Sequence, residues 1–569
     1  MRYTKTITKA ECSLKSNKAI TLIALVITII ILLILSGITI ATLTGENGLF
    51  ERAKEAKTKT EIESIKEEIR TEILAEQAGN EGDITEEKLK EILENHGKLS
   101  GEEKLEDNIL TTDKGKYEIK VSDIFNGTTS KPEEPIFTAT ANKPDISGFN
   151  ASNTYYVTWD LSSSPYIINE SINISQTAPS NWYDYTAGVN KWANIKTTGG
   201  GNDCYWVWIP RYAYKVPEKS NTEQTIEIKF LNKETNIPIG ETQEITNTTP
   251  TPGTWVVHPA FTNAGNGGFG ELTGIWVAKY EASSNNAKVV ENPTAEQLAF
   301  DGGSDTDIDL KVRVKPNVTS WRGISVNNIF TVCKNLTTSG NSLEGTTKID
   351  SHMMKNTEWG AVAYLSQSKY GKNGQVWNNP WAYDDKTYYS PITGRANKNN
   401  NPNEFLNGNE TANYEQVTDK YNTGNGPNAS TTGNVYGVYD MAGGTLEYVA
   451  GYLNEALEND SSLRLNLQSL YEADKKYKDI YAGNSNTDTI NYERNKNKYG
   501  DSTYETSTNG TGNASWNKDF SGYPTIVSPT FIYGGRAGSG EQAGIFSFYR
   551  STGKEHNSDS FRPTIVNIK

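Results

Sequence analysis

Residues Ala19–Leu43 read AITLIALVITIIILLILSGITIATL, 25 residues without a charge. As a helix rising about 1.5 Å per residue, the stretch would extend roughly 37 Å. A bilayer core is about 30 Å thick, so the segment predicts a tilted transmembrane helix. Its hydroxyls, on Thr21, Thr28, Ser36, Thr39 and Thr42, can bond back to helix carbonyls and need no outside partner. Everything beyond it is then a passenger on a membrane segment.

On the N-terminal side stand Arg2, Lys5, Lys9, Lys15 and Lys18 against a single acid, Glu11. On the other side Glu46, Glu51, Arg52, Lys54 and Glu55 are mixed. The basic excess puts the N-terminus in the cytoplasm and the C-terminal bulk outside the cell. A secretory signal has an apolar region of about 7–15 residues, shorter than this one. A plain single-pass anchor fits the physics. The stretch KAITLIALVITIIILLILSGITIATL also resembles the N-terminus of type IV prepilins and pseudopilins. That resemblance implies a basic leader, residues 1–19, cut by a prepilin peptidase between Ala19 and Ile20, and a transmembrane helix over 20–43. The family has Gly before the cut and Glu at the fifth mature position; this chain has Ala19 and Ala24. That Glu serves filament assembly, so Ala24 weighs against polymerisation.

The 569 residues leave room for two or three domains. A net charge of −14 argues against a nucleic-acid partner, which requires a basic patch. It suits anionic lipid head groups no better. Only 35% of residues are apolar, yet there are 31 Tyr, 12 Trp and 49 Gly, a mix suited to a loop-rich extracellular domain with short strands. Cys12 lies in the leader. Cys204 and Cys333 could form a disulfide outside the cell, or remain buried thiols. Helical spacing of Ile329, Phe330 and Cys333 on one face favours the thiols.

After the membrane segment, Leu49–Gln77 has helical periodicity, with Ile62, Ile65, Ile69 and Ile73 as its apolar stripe. Thr85 suits the N-cap of a second helix, Glu86–Asn95, which Gly97 stops. Ile109–Val121 reads as a hairpin turning at Asp113-Lys114-Gly115. Residues 44–125 thus form a small α+β unit, similar to a pseudopilin body. Residues 126–137 are a linker by composition. The head, 138–569, carries aromatic strands at Thr154–Trp159, Tyr205–Ile209, Ile226–Phe230 and Ile275–Tyr280. Long polar loops are expected at Phe405–Thr432 and Gly483–Asn517. The fold class is α+β.

Within the head, seven segments resemble, in order and type, the formylglycine-generating-enzyme/sulfatase-modifying-factor domain, a variant of the C-type lectin fold. They are YWVWIPRYAYKV (205–216), VVHPAFTN (256–263), GIWVAKYEAS (274–283), SWRGISVNNIF (320–330), HMMKNTEWGAVAYLSQSKYG (352–371), NVYGVYDMAGGTLEYVAG (434–451) and SFRPTIV (560–566). The resemblance covers residues 200–569 and is strongest at 434–451. There Gly444 stands for Asn, and Leu446 and Tyr448 for two Trp. Two carboxylates in a Gly-rich turn are what a hard cation requires, or they cap the turn without a metal. The resemblance implies a structural Ca²⁺ on Asp440, Gly443, Thr445 and Glu447.

The family's enzymes use two late cysteines, and nothing after Cys333 is Cys. His96, His258, His352 and His556 show no ligand spacing for the iron of related sulfoxide synthases. His258, in WVVHPAF, reads as structural. There is no nucleophile elbow and no phosphate loop. A non-enzymatic head is expected.

The tail, GGRAGSGEQAGIFSFYRSTGKEHNSDSFRP (534–563), is similar to the ends of lectin-fold receptors diversified by retroelements. That resemblance implies a ligand face drawn from Arg536, Ser539, Glu541, Gln542, Tyr549, Arg550, His556 and Asn557. Phe546 and Phe548 share a face by strand alternation, expected to be the buried one. The chain therefore reads as a membrane-anchored surface binding or adhesion protein. Its lectin-like head would engage a glycan or a protein on another surface. The alternative is a minor pilin or pseudopilin, working in a surface filament with pilus or secretion assembly proteins. An oxidase of the formylglycine-generating type ranks last.

Overall fold

A computed structural model describes residues 86–100, 109–112, 117–121, 141–286, 309–382, 391–407 and 417–568, with seven positions between 62 and 73. The leader 1–19, the Ala19–Ile20 site, the transmembrane segment 20–43 and the linker 126–137 lie outside these residues. Among the described residues no helix is long and apolar enough to cross a membrane. The chain divides into two compact units, 1–137 and 138–569. Both mix helices with sheet, and sheet predominates in the second.

In the first unit the isoleucine stripe does bury itself. Ile69 and Ile73 pack with Ile92 and Leu93 of helix α1 (Glu86–His96) and with Leu110, Ile119 and Val121. The hairpin pairs Ile109–Thr112 with Glu118–Lys120, Leu110 opposite Ile119. Its turn at Asp113–Gly115 lies outside the described residues. A third strand, Gly97–Ser100, joins it antiparallel. That strand is unexpected from the sequence, where Gly97 reads only as a helix stop. A Cβ on Gly97 would sit 2.2 Å from the Thr111 carbonyl oxygen, so glycine is what allows the strand to approach.

The second unit holds two large sheets. The first runs Ile349–Met353, Pro563–Asn567, Gly274–Ala278, Cys204–Pro210, Asn194–Thr197, Thr154–Asp160, Ile167–Asn169. Its central strands are buried on both faces rather than alternating, because both faces are covered. Their tryptophans still satisfy their N–H groups: Trp206 donates to the Thr197 hydroxyl, and Trp208 and Trp276 to the Asn142 and Asp145 carbonyls. The second sheet orders Asp479–Tyr481, Leu446–Leu453, Thr530–Tyr533, Phe548–Ser551, Ser521–Gly522, Thr511–Gly512. Asp559–Phe561 pairs with Leu446–Leu453 off that path.

Helix α2 (Val326–Lys334) buries Ile329, Phe330 and Cys333 as its spacing requires. Cys204 and Cys333 are both buried free thiols. Helix α3 (Asn356–Ser366) is buried on every side. It touches the Cys204–Pro210 strand of one sheet and the Leu446–Leu453 strand of the other.

The two expected polar loops are largely packed structure. Thr418–Lys420 pairs with Arg395–Asn397, though 408–416 lie outside the described residues. Residues 483–517 contain helix α4 (Asp488–Arg494) and a buried run at 500–507. Local hydrogen bonds account for this: Asp501 accepts from the Thr503 N–H and hydroxyl, and Tyr492 bonds the Ser507 hydroxyl. Polar groups so satisfied can be buried at little cost.

Candidate functional site

The turn expected to hold calcium is built tightly. Gly443 and Gly444 both have positive φ, and a Cβ on Gly444 would lie 2.5 Å from Glu281 Oε1. Asp440, itself at φ 61°, accepts from the Gly394 N–H at 2.9 Å and from Asn379 Nδ2 at 3.0 Å. Glu447 is clamped by Arg562: Nη2 to Oε1 at 2.6 Å and Nε to Oε2 at 3.1 Å. The same guanidinium donates to the carbonyls of Ala278 (2.7 Å) and Tyr439 (2.9 Å). A third carboxylate, Glu281, accepts from the Thr445 N–H at 2.8 Å and from the Ser320 hydroxyl. All four charged side chains are buried.

Burial pushes the Glu447 carboxyl up to about 7, against the pull of Arg562. Burial, then repulsion from Asp440 and Glu447, drives Glu281 well above the usual carboxylate range. Asp440 is raised by burial as well, opposed by the Gly394 N–H and Arg562. The cluster is thus three carboxylates around one guanidinium.

This arrangement does not fit the expected calcium. The ion takes about 6–8 oxygen ligands. Here both oxygens of Glu447 are spent on a cation that would repel it, and the Gly394 N–H and Asn379 amide hold Asp440. Asp440, Gly443, Thr445 and Glu447 do lie together, but Arg562 supplies the positive charge that a metal would bring. Among the described residues no group of three or more His, Cys, Asp or Glu is placed to hold a metal. Treating the whole chain with EDTA is therefore expected to leave its melting temperature unchanged. A fall reversed by added Ca²⁺ would show that the ion displaces Arg562.

Sequence reasoning missed Glu281 and Arg562. The signal was a charge inside an apolar strand segment, in GIWVAKYEAS and SFRPTIV. A charge there has to find a partner.

No family model matches this chain, and no curated protein matches it.

The tail does not simply alternate: residues 543–548 are all buried, Ser547 with the two phenylalanines, and exposure begins at Tyr549. Phe546 and Phe548 are fully buried, with Phe546 against Trp516 at 5.0 Å. Next on the strand is Tyr549, 37% exposed, its ring edge-on to Phe520 at 5.3 Å. Arg550 is not a free arm: Nη1 bonds Asp488 Oδ2 of α4 at 2.8 Å and the Tyr523 carbonyl at 3.3 Å. Exposed Glu541 lies 3.4 Å from Lys518, with half-buried Gln542 beside it. Arg536 and Ser539 open the same short turn of helix and are half-buried, the Arg536 N–H donating to the Ser539 hydroxyl. His556 and Asn557 are exposed on the loop after the strand. Asp559 holds the His556 imidazole above its ordinary range, and the charge of Arg536 is near enough to oppose it. Two groupings result, Tyr549–Arg550 on the strand and Arg536–His556 at its end.

His258 is buried, accepts from the Ala260 N–H, and is pushed down to about 3 by burial. It is a neutral structural imidazole.

Proposed function

We propose that this chain is a single-pass membrane protein that displays a binding head on the cell surface, with its N-terminus in the cytoplasm. The head is proposed as a C-type-lectin-like domain of the sulfatase-modifying-factor type, without that family's chemistry, since no cysteine follows Cys333. The observation that carries the reading is Tyr549. It is a rigid aromatic ring held outward on a strand whose inward neighbours are locked in the core. Lys518, Glu541 and the Asp488-anchored Arg550 supply polar groups from the same region of the unit. Aromatic and Arg side chains on a fixed frame are what protein interfaces use as anchors. A protein carried on another surface is the ligand this face suits best.

The test is capture of surface proteins and glycans by the whole chain. Tyr549→Ala is expected to weaken capture of a protein ligand by at least about tenfold, as loss of an interface anchor does. Its melting temperature should fall by no more than a few degrees, because the ring packs at the surface, on Phe520, Gly522 and Arg550. Undiminished capture by Tyr549→Ala, or capture of glycans alone, would defeat this reading.

The pilin alternative has one observation in its favour: the buried isoleucine stripe against a small antiparallel sheet. N-terminal sequencing of the mature protein decides the processing. A chain beginning at Ile20 supports prepilin-type cleavage, and one beginning at Met1 leaves a plain anchor.

A further inference from the structure

A cleft of about 760 Å³ opens beside the N-terminus of α3. That volume lies in the range of small-molecule sites, about 300–1,000 Å³. Thr357, Glu455, Asp479, Tyr481, Lys498 and Tyr499 line it. None of these belongs to the tail face.

Several of its polar groups are already spent. Asp501 accepts from the Tyr481 hydroxyl and from Thr503. Glu455 accepts from the Gly483 N–H and lies 3.6 Å from Arg494. Others have capacity left. Asp479 is 9% exposed; its Oδ2 accepts from the Thr357 N–H at 2.8 Å, and its Oδ1 accepts nothing from the described residues. Thr357, 8% exposed, keeps its hydroxyl buried against the Asp479 carboxyl and does not present it to the cleft. The Tyr499 hydroxyl bonds no described residue, although it borders the cleft. Lys498, exposed, forms no ion pair with the described residues and holds Nζ 5.4 Å above the Tyr481 ring.

The charges balance internally. Burial pushes the Asp479 carboxyl up, and Lys355 and Lys498 oppose that shift. Arg494 faces Glu455. Lys498 could meet an anion, but Glu455, Asp479 and Asp501 in the same lining oppose one, so a ligand without net charge meets both signs at least cost. The remaining demand is for a neutral molecule that donates to a carboxylate oxygen, accepts from an ammonium, and does both with the Tyr499 hydroxyl. It must also present C–H surface to the half-buried Tyr499 ring, since Tyr481 is 1% exposed. We propose that this cleft binds a short neutral oligosaccharide. Each sugar hydroxyl donates and accepts, and the ring's C–H face supplies the apolar contact.

The test is calorimetric titration of the whole chain in a detergent that carries no sugar. Maltotriose, cellotriose, xylotriose, mannotriose and N-acetylchitotriose form the saccharide panel, with glycine and glutamate as zwitterionic and anionic arms. At least one trisaccharide is expected to bind. Lys498→Ala and Tyr499→Phe should each weaken it by about tenfold, the loss of one good hydrogen bond or charged contact. Asp479→Asn should do so too, but Asp479 also holds the first turn of α3. The exposed Lys498 variant therefore keeps the test valid if that one misfolds. Three results would overturn the proposal: no trisaccharide binding, binding indifferent to both Lys498→Ala and Tyr499→Phe, or binding of glycine or glutamate in place of the sugars. Capture through the Tyr549 face is a separate readout, so either idea can fail alone.

Discussion

Arg562→Leu is expected to destabilise the 138–569 unit by about 3–5 kcal/mol, the usual result of stranding a buried charge. Arg562 is fully buried and is the only cation bonded to the cluster of Glu281, Asp440 and Glu447 among the described residues. Its removal leaves three carboxylates with backbone and amide donors alone. The effect should depend on pH, with a definite sign. These carboxyls have folded values above their unfolded ones, which lie near 4. A raised carboxyl favours the fold below its unfolded value, and that contribution is lost as pH rises through the folded one. Glu447 already stands at about 7 with Arg562 present. Without Arg562 the carboxyls can remain in the fold only by holding protons. The deficit should therefore be smaller at pH 5 than at pH 8, read as urea midpoints. Glu447→Gln added to Arg562→Leu should recover part of the loss, because one of the stranded charges goes with it. A deficit below about 1 kcal/mol, or one equal at the two pH values, would remove Arg562 from this role.

The same cluster marks how far the sequence reaches. Asp440 and Glu447 are legible as a carboxylate pair in a glycine turn, since they are seven residues apart. Their countercharge is 115 residues away from Glu447. Glu281 comes from another strand segment, and no local pattern joins it to the turn. Elements whose periodicity is set by burial were readable: the aromatic strands, α2, the isoleucine stripe, Phe546 and Phe548. Elements set by satisfied polarity were not. Residues 483–517 look like a solvated loop because Asn, Asp, Ser and Thr dominate. They are packed because Asn491, Asp501 and Ser507 each find hydrogen-bond partners nearby. Composition records that these groups are polar, but not that they are paired. Arg550 shows the same limit on the candidate ligand face. Strand alternation puts it on the face of buried Phe548, and its half-buried place there rests on a tether to Asp488, from a helix that the sequence did not announce.

His352→Gln is expected to cost about 3–5 kcal/mol as well, by breaking a buried charged relay. The imidazole is fully buried and stacks on Phe269 at 5.0 Å. Its Nε2 lies 2.9 Å from Glu358 Oε1 and its Nδ1 3.3 Å from Asp350 Oδ1. Asp350 also holds Lys334 at 2.9 Å and the Tyr477 hydroxyl at 2.6 Å. Burial opposes charge on the ring, but the Glu358 and Asp350 carboxylates outweigh it and raise His352 above its ordinary value. Burial likewise works against the two carboxylates, yet His352 helps hold both below their usual range. The signs then define a window. The His352 contribution is complete below its unfolded value of about 6.5 and disappears as pH rises through the raised folded value. The carboxylate contributions are complete above their unfolded values near 4 and disappear as pH falls. The gap between wild type and His352→Gln should therefore be widest between about pH 4.5 and 6.5. It should narrow as pH rises through the raised folded value, where the imidazole loses its proton while Asp350 retains Lys334. Urea midpoints of both proteins across that range measure the gap. If it is constant with pH, His352 acts through packing on Phe269 and Tyr477 rather than through its charge.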